Sequence, residues 1–322
     1  MKGKKIVSTL LALLLLASLP VSAHAAVWDI GKGDITISVG SGGQTVTQGG
    51  GAAVNDSAPV ITGSSTENTV TINAEKDQTA SVTLSGADID VSGKGKAAVS
   101  TTGEGNVSIE LDGENTLKSA TNHAGLEKNN GGSLTIADED KNGKLTAEGG
   151  IYGAGIGGGY EGEGSNIAIT GGEVEATGGI GGAGIGGGKN GAGSSIAITG
   201  GEVKATGGKY GAGVGGGLSG NGNHISITGG EVKATGGLNG AGIGGGLWGK
   251  GKDITISGDA QLKVQGGVGD YFDGPGAGIG DGGSRPKEST GGNPIPGTEV
   301  EPDTSGLTTN GSIEYYAPGA DM

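Results

Sequence analysis

The stretch "GAGIGGGKNGAGSSIAITGGEVKATGGKY" (182–210) is flanked by two close copies of the same length, "GAGIGGGYEGEGSNIAITGGEVEATGGIG" (153–181) and "GAGVGGGLSGNGNHISITGGEVKATGGLN" (211–239). Self-similarity at a fixed period of 29 residues marks an architecture built by stacking one unit on the next. Within each copy the triplets "IAI" or "ISI", then "VEA" or "VKA", then "AGI" or "AGV" alternate apolar and small or polar residues. That is the period of a strand, and glycine pairs punctuate the chain between triplets. Three short strands and three corners per repeat predict an all-β chain wound as a parallel β-helix. Ile185, Ile196, Ile198, Val203 and Ala205 would point inward, with coils about 4.8 Å apart.

The triplets continue beyond the clean copies. "VTL" (82–84), "VSI" (107–109), "AGL" (124–126), "LTI" (134–136) and "LTA" (145–147) precede them, and "ITI" (254–256), "LKV" (262–264) and "AGI" (277–279) follow. Residues 82–282 accommodate about seven coils of this length. Residues 26–81 read as less regular coils and an N-terminal cap, so the β-helix domain spans 26–283. From Ser284 onward the chain holds five of the eight prolines and loses its apolar periodicity. It reads as a disordered or linker tail, 284–322, although "SIEYY" at 312–316 could add a strand against the end of the helix.

The glycine runs admit other readings, which the pattern rejects. A nucleotide loop is a single glycine-rich turn leading into a helix, whereas this run recurs five times with no amphipathic helix after it. A flexible linker would not carry an apolar residue at the same place in every copy. A calcium β-roll needs an aspartate in each turn, and only Asp281 supplies one, Gly158, Gly187, Gly216 and Gly245 standing at the equivalent places.

Residues 1–25 read as a secretory leader: Lys2, Lys4 and Lys5, an apolar run at 6–19, and "AHA" at 23–25 before the cut. The expected location is therefore outside the cell. Cleavage would remove three lysines and take the net charge from −14 to −17, which disfavours nucleic acid as a partner. There is no cysteine, so neither disulfides nor thiolates contribute. No other apolar run is long enough to insert in a membrane.

"LDGENTLKSATNHAGLEKNNGGSLTI" (111–136), followed by "GKLTAEGG" (143–150) and the "GAGIGGG" copies, resembles the carbohydrate-binding β-helix domain of secreted and cell-surface proteins of anaerobic Gram-positive bacteria. The resemblance extends over roughly residues 28–283. It implies a right-handed parallel β-helix and polysaccharide binding, with calcium as a possible aid.

Three groups of residues could carry chemistry. In "DEDKNG" (138–143), Asp138, Asp140 and Asn142 with Gly143 match the opening of a calcium loop, although Glu148 falls one place short of the closing carboxylate; an ordinary polar turn is the competing reading. Glu173, Glu202 and Glu231 share one repeat position and should form an outward ladder, balanced by Lys204 and Lys233 two residues on. Tyr152 and Tyr210 both precede a "GAG" corner two coils apart, about 10 Å, with Asn239 at the next such place. On that edge the last coil carries an insertion with Asp270, Tyr271, Phe272 and Asp273. These seven residues are the candidate carbohydrate contacts, with Tyr160 and Trp248 on an alternative edge; the competing reading is that the tyrosines shield corners and the insertion caps the end.

Catalysis finds little footing. No unrepeated acidic cluster interrupts a strand face, Arg285 is the sole arginine, and His123 and His224 read as structural. The expectation is a monomeric, non-catalytic binder of polysaccharide. A rigid surface spacer is the alternative, and a polysaccharide lyase or hydrolase comes third.

Overall fold

The computed structural model describes residues 25–286 and 293–322; the expected leader lies outside these residues except for Ala25. The fold is an all-β parallel solenoid. In one central coil, Gly193–Ile198 lies on a first face, Glu202–Thr206 on a second and Val214–Gly215 on a third. The alternation places Ile196, Ile198, Val203, Ala205 and Ile185 inward at 1 % exposure or less.

The rungs of the repeated coils keep the same register in parallel. Ile167, Ile196, Ile225 and Ile254 stack on the first face. Val174, Val203, Val232 and Leu262 stack on the second, and Ile156, Ile185, Val214, Ile243 and Ile279 on the third. Like side chains therefore pack on like, and the interior is a continuous apolar column rather than one globular core. Among the described residues the parallel third-face ladder has nine strands, from Ile35–Gly40 to Ile279–Gly280, seven of them after residue 82 as the triplets predict. The first two faces join through one long strand, Thr79–Asp90, which pairs with Asn106–Asp112 by its first half and with Glu114–Lys118 by its last residues.

Both ends of such a stack expose unpaired strand edges, and both are covered. At the N-terminal end Ile35–Gly40 turns into an antiparallel hairpin with Gly43–Gln48, on which Val54–Asn55 adds a further strand. At the C-terminal end the expected disordered tail is instead ordered from 293 to 322. It bridges Gly280 through Glu299 on the third face and Thr255 through Asp303 on the first, then pairs Ser312–Tyr316 with Gln261–Gln265 on the second. The segment is one last coil. Its role is physical: the Glu299 carboxylate accepts the N–H groups of Gly278 and Ile279, and Leu307 and Ile313 cover the end of the apolar column. It lacks periodicity because it touches each ladder at only one or a few residues, so the prolines between contacts are tolerated.

Candidate functional site

From Ile156–Gly157 onward the third strand of each coil is only two residues long, as in Ile185–Gly186. Ala183 N–H bonds Gly187 O across it at 2.9 Å, which pinches this side of the coil. The chain therefore enters and leaves the corner side by side. From coil to coil, the N–H of Lys189 donates to Tyr152 O and that of Leu247 to Tyr210 O, both at 2.9 Å. The residue after one glycine run thus sits beside the residue before the preceding one, and the two edges that the sequence offers as alternatives are a single strip.

Aromatic side chains gather along it. The rings of Tyr152 and Tyr160 are 5.7 Å apart, with Lys189 Nζ 4.5 Å and 5.8 Å above their centroids. Lys209 Nζ lies 4.9 Å over Tyr210. Ile151, Ile180 and Trp248 are exposed on the same strip. Tyr271 and Phe272 end it as an edge-to-face pair, 5.0 Å between centroids, with Arg285 5.2 Å from Phe272. A hydrogen bond with Glu161 holds the pKa of the Tyr160 phenol above its ordinary value, and one with Tyr210 does the same for the Lys209 ammonium.

Three of the expected contacts serve the strip from beneath. Asn239 is fully buried; its Nδ2 donates to Asp273 O and Gly274 O, both at 2.8 Å, so it holds the insertion rather than a ligand. Asp273, 3 % exposed, accepts Trp248 Nε1–H at 3.0 Å and Arg285 at 3.1 Å. Asp270 closes the turn, its Oδ1 accepting the N–H groups of Phe272 and Asp273. The result is a braced loop that presents Tyr271 and Phe272, 87 % and 59 % exposed. Short polar side chains next to a glycine corner satisfy buried backbone groups more often than they meet ligands, which is why a sequence cannot separate the two roles.

The "DEDKNG" turn folds on itself. Both carboxylate oxygens of Asp138 accept backbone N–H groups, of Asn142 and Gly143, and Asp140 accepts from Asn142 Nδ2. Among the described residues no three acidic or imidazole side chains converge as a metal-binding group. These are the hydrogen bonds of a polar turn, the competing reading of this stretch. In the glutamate ladder, Glu173, Glu202 and Glu231 are in register as expected. Their balance differs: Glu173 pairs with Lys144 of the coil before, Lys204 with Glu175, and Lys233 Nζ donates to Met322 O, so the charges compensate along the columns and not across them.

One pairing escaped the sequence reading entirely. His123 is not a lone corner histidine; its Nδ1 lies 2.9 Å from Glu127 Oε2, four residues on, beside the start of the strip.

Four stretches, residues 141–160, 167–189, 196–218 and 225–247, match the family model of the beta helix repeat. The chain is a parallel β-helix protein. Comparison with curated proteins and with solved structures yields no match. In this β-helix the matched stretches contain Tyr152, Tyr160 and Tyr210, while Trp248, the insertion and the His123–Glu127 pair fall outside them. The repeat thus accounts for the scaffold and for part of the strip.

Proposed function

We propose that this β-helix is a secreted, non-catalytic binder of extended polysaccharide of the plant cell-wall type, which lies along the aromatic strip. One observation carries the reading: of the five exposed aromatic side chains among the described residues, Tyr160, Trp248, Tyr271 and Phe272 lie on this strip, and only Tyr315 lies elsewhere. Rings fixed by cation contacts and by a braced loop would stack on pyranose faces at little further ordering cost. The stack of identical rungs gives a linear polymer a repeated footing.

The test is retention of residues 26–322 on insoluble cellulose, xylan and pectin, with calcium and with chelator, while the supernatant is assayed for released sugar. The expected result is saturable retention on at least one polymer, insensitive to chelator because the "DEDKNG" oxygens are committed to their own turn, and no sugar release. Tyr210→Ala with Tyr271→Ala should weaken retention about tenfold or more through lost ring burial, with a melting temperature within a few degrees of the parent. Undiminished affinity in that folded double variant would remove the strip from the binding surface. The second reading, a rigid spacer, draws support from the unbroken coil-to-coil hydrogen bonding of the glycine corners, for example Gly208 N–H to Gly182 O and Gly237 N–H to Gly211 O. It predicts no retention on any polymer.

A further inference from the structure

From Gly157 onward the solenoid repeats glycine at its third corner, and the coil immediately before has Glu127 there. Glu127 pairs in register with Gly157, and Gly157 with Gly186. Gly157, Gly186, Gly215, Gly244 and Gly280 all have φ between +131° and +138°, a region that favours glycine, whereas Glu127 does not. In this coil the corner is turned in another way and filled with side chains. His123 stands where the next coil has Gly153, and Glu127 and Asn129 where it has Gly157 and Gly159.

The replacement is a built arrangement. The Glu127 side chain is 8 % exposed; Oε2 accepts Ala124 N–H at 3.0 Å, Oε1 accepts Asn129 Nδ2 at 2.8 Å, and His123 Nδ1 completes the set at 2.9 Å. A carboxylate only accepts, so in the neutral ring the proton sits on Nδ1 and Nε2 turns a lone pair outward. The imidazole is 32 % exposed, and Nε2 has no partner among the described residues. The dyad adjoins the strip directly. Asn122 O accepts Tyr160 N–H at 2.8 Å, and a Cβ on Gly159 would lie 2.8 Å from Glu127 Oε2.

We propose that His123 is a polar subsite at the head of the aromatic strip, its Nε2 accepting the hydroxyl hydrogen of a pyranose that stacks on the Tyr152–Tyr160 pair. This rests on the polysaccharide-binding reading and adds to it an orienting contact: the tyrosines take a ring face, and the imidazole, fixed by Glu127, selects a ring that carries a hydroxyl at its edge. The coils that follow have glycine at all three of these places and supply no such contact.

The experiment uses the chain from residue 26 with cellohexaose and xylohexaose. The Nε2 resonance of His123 should move on titration with the oligosaccharide that binds. His123→Gln keeps an amide donor for Glu127 and removes the ring nitrogen, so it should bind about tenfold more weakly at an unchanged melting temperature; His123→Phe, which keeps the ring shape, should lose as much. Wild-type binding with a stationary Nε2 resonance, or with undiminished affinity in His123→Gln, overturns the subsite and leaves the strip intact. Failure of the wild-type chain to bind either oligosaccharide or any polymer overturns both.

Discussion

Gly208→Ala is expected to destabilise the β-helix by more than about 4 kcal/mol, the range reserved for substitutions that break packing outright. A Cβ at Gly208 would lie 1.6 Å from Gly179 O and 2.4 Å from Gly179 C, and Gly237 stands in the same relation to Gly208 O. Gly208 has no positive φ, so the penalty is spatial: the next backbone is where the methyl would go. Relief requires the coils to part, and parting forfeits the strand pairing and apolar stacking of two neighbouring units at once. Gly93→Ala is the matched control, because a Cβ there meets nothing within 4 Å. It should stay within about 0.5 kcal/mol of the parent. Urea unfolding of both variants is the measurement, and similar midpoints would mean that close stacking does not hold the coils together.

Lys128→Met is expected to have the opposite sign. Lys128 is 5 % exposed in Leu126–Lys128, and its Nζ makes one hydrogen bond among the described residues, to Asn130 O at 2.7 Å. An ammonium has three donors to satisfy. Burial alone holds it below its ordinary value of 10.5, with no neighbouring charge to offset the effect. Removing an uncompensated buried amine in favour of an apolar chain of similar length should stabilise the fold at pH 7 by about 1 kcal/mol or more. The pH dependence separates this cause from simple packing. Between the lowered value and 10.5 the unfolded chain binds a proton that the folded chain does not, so wild-type stability rises with pH across that window. The two proteins should therefore converge as pH approaches 10.5. Equal stability at pH 7, or a difference constant from pH 7 to 10.5, would show that desolvation of Lys128 is not the cause.

The candidate site was legible in part. Tyr152, Tyr210, Tyr271 and Phe272 stood out because a repeat makes any departure visible, and they do share one strip. Asn239 and Asp273 stood out for the same reason but are buried supports, 0 % and 3 % exposed. A departure from a repeat marks a special place without telling which way the side chain faces. Tyr160, Trp248 and Arg285 could be placed only once the pinched third strand brought the two sides of the corner together.

Taken alone, the sequence determined the solenoid, its 29-residue coil and its inward residues, because strand alternation and glycine spacing are local properties that repetition writes many times over. Tertiary structure decided the rest. The single strip depends on the pinched third strand, which brings the two sides of each corner together, the His123–Glu127 pair on a corner turned without glycine, and the capping coil made of residues 293–322 on contacts made once, between segments that no period links. All three are set by where the backbone passes in space, which the order of the residues marks at most as a departure from the repeat.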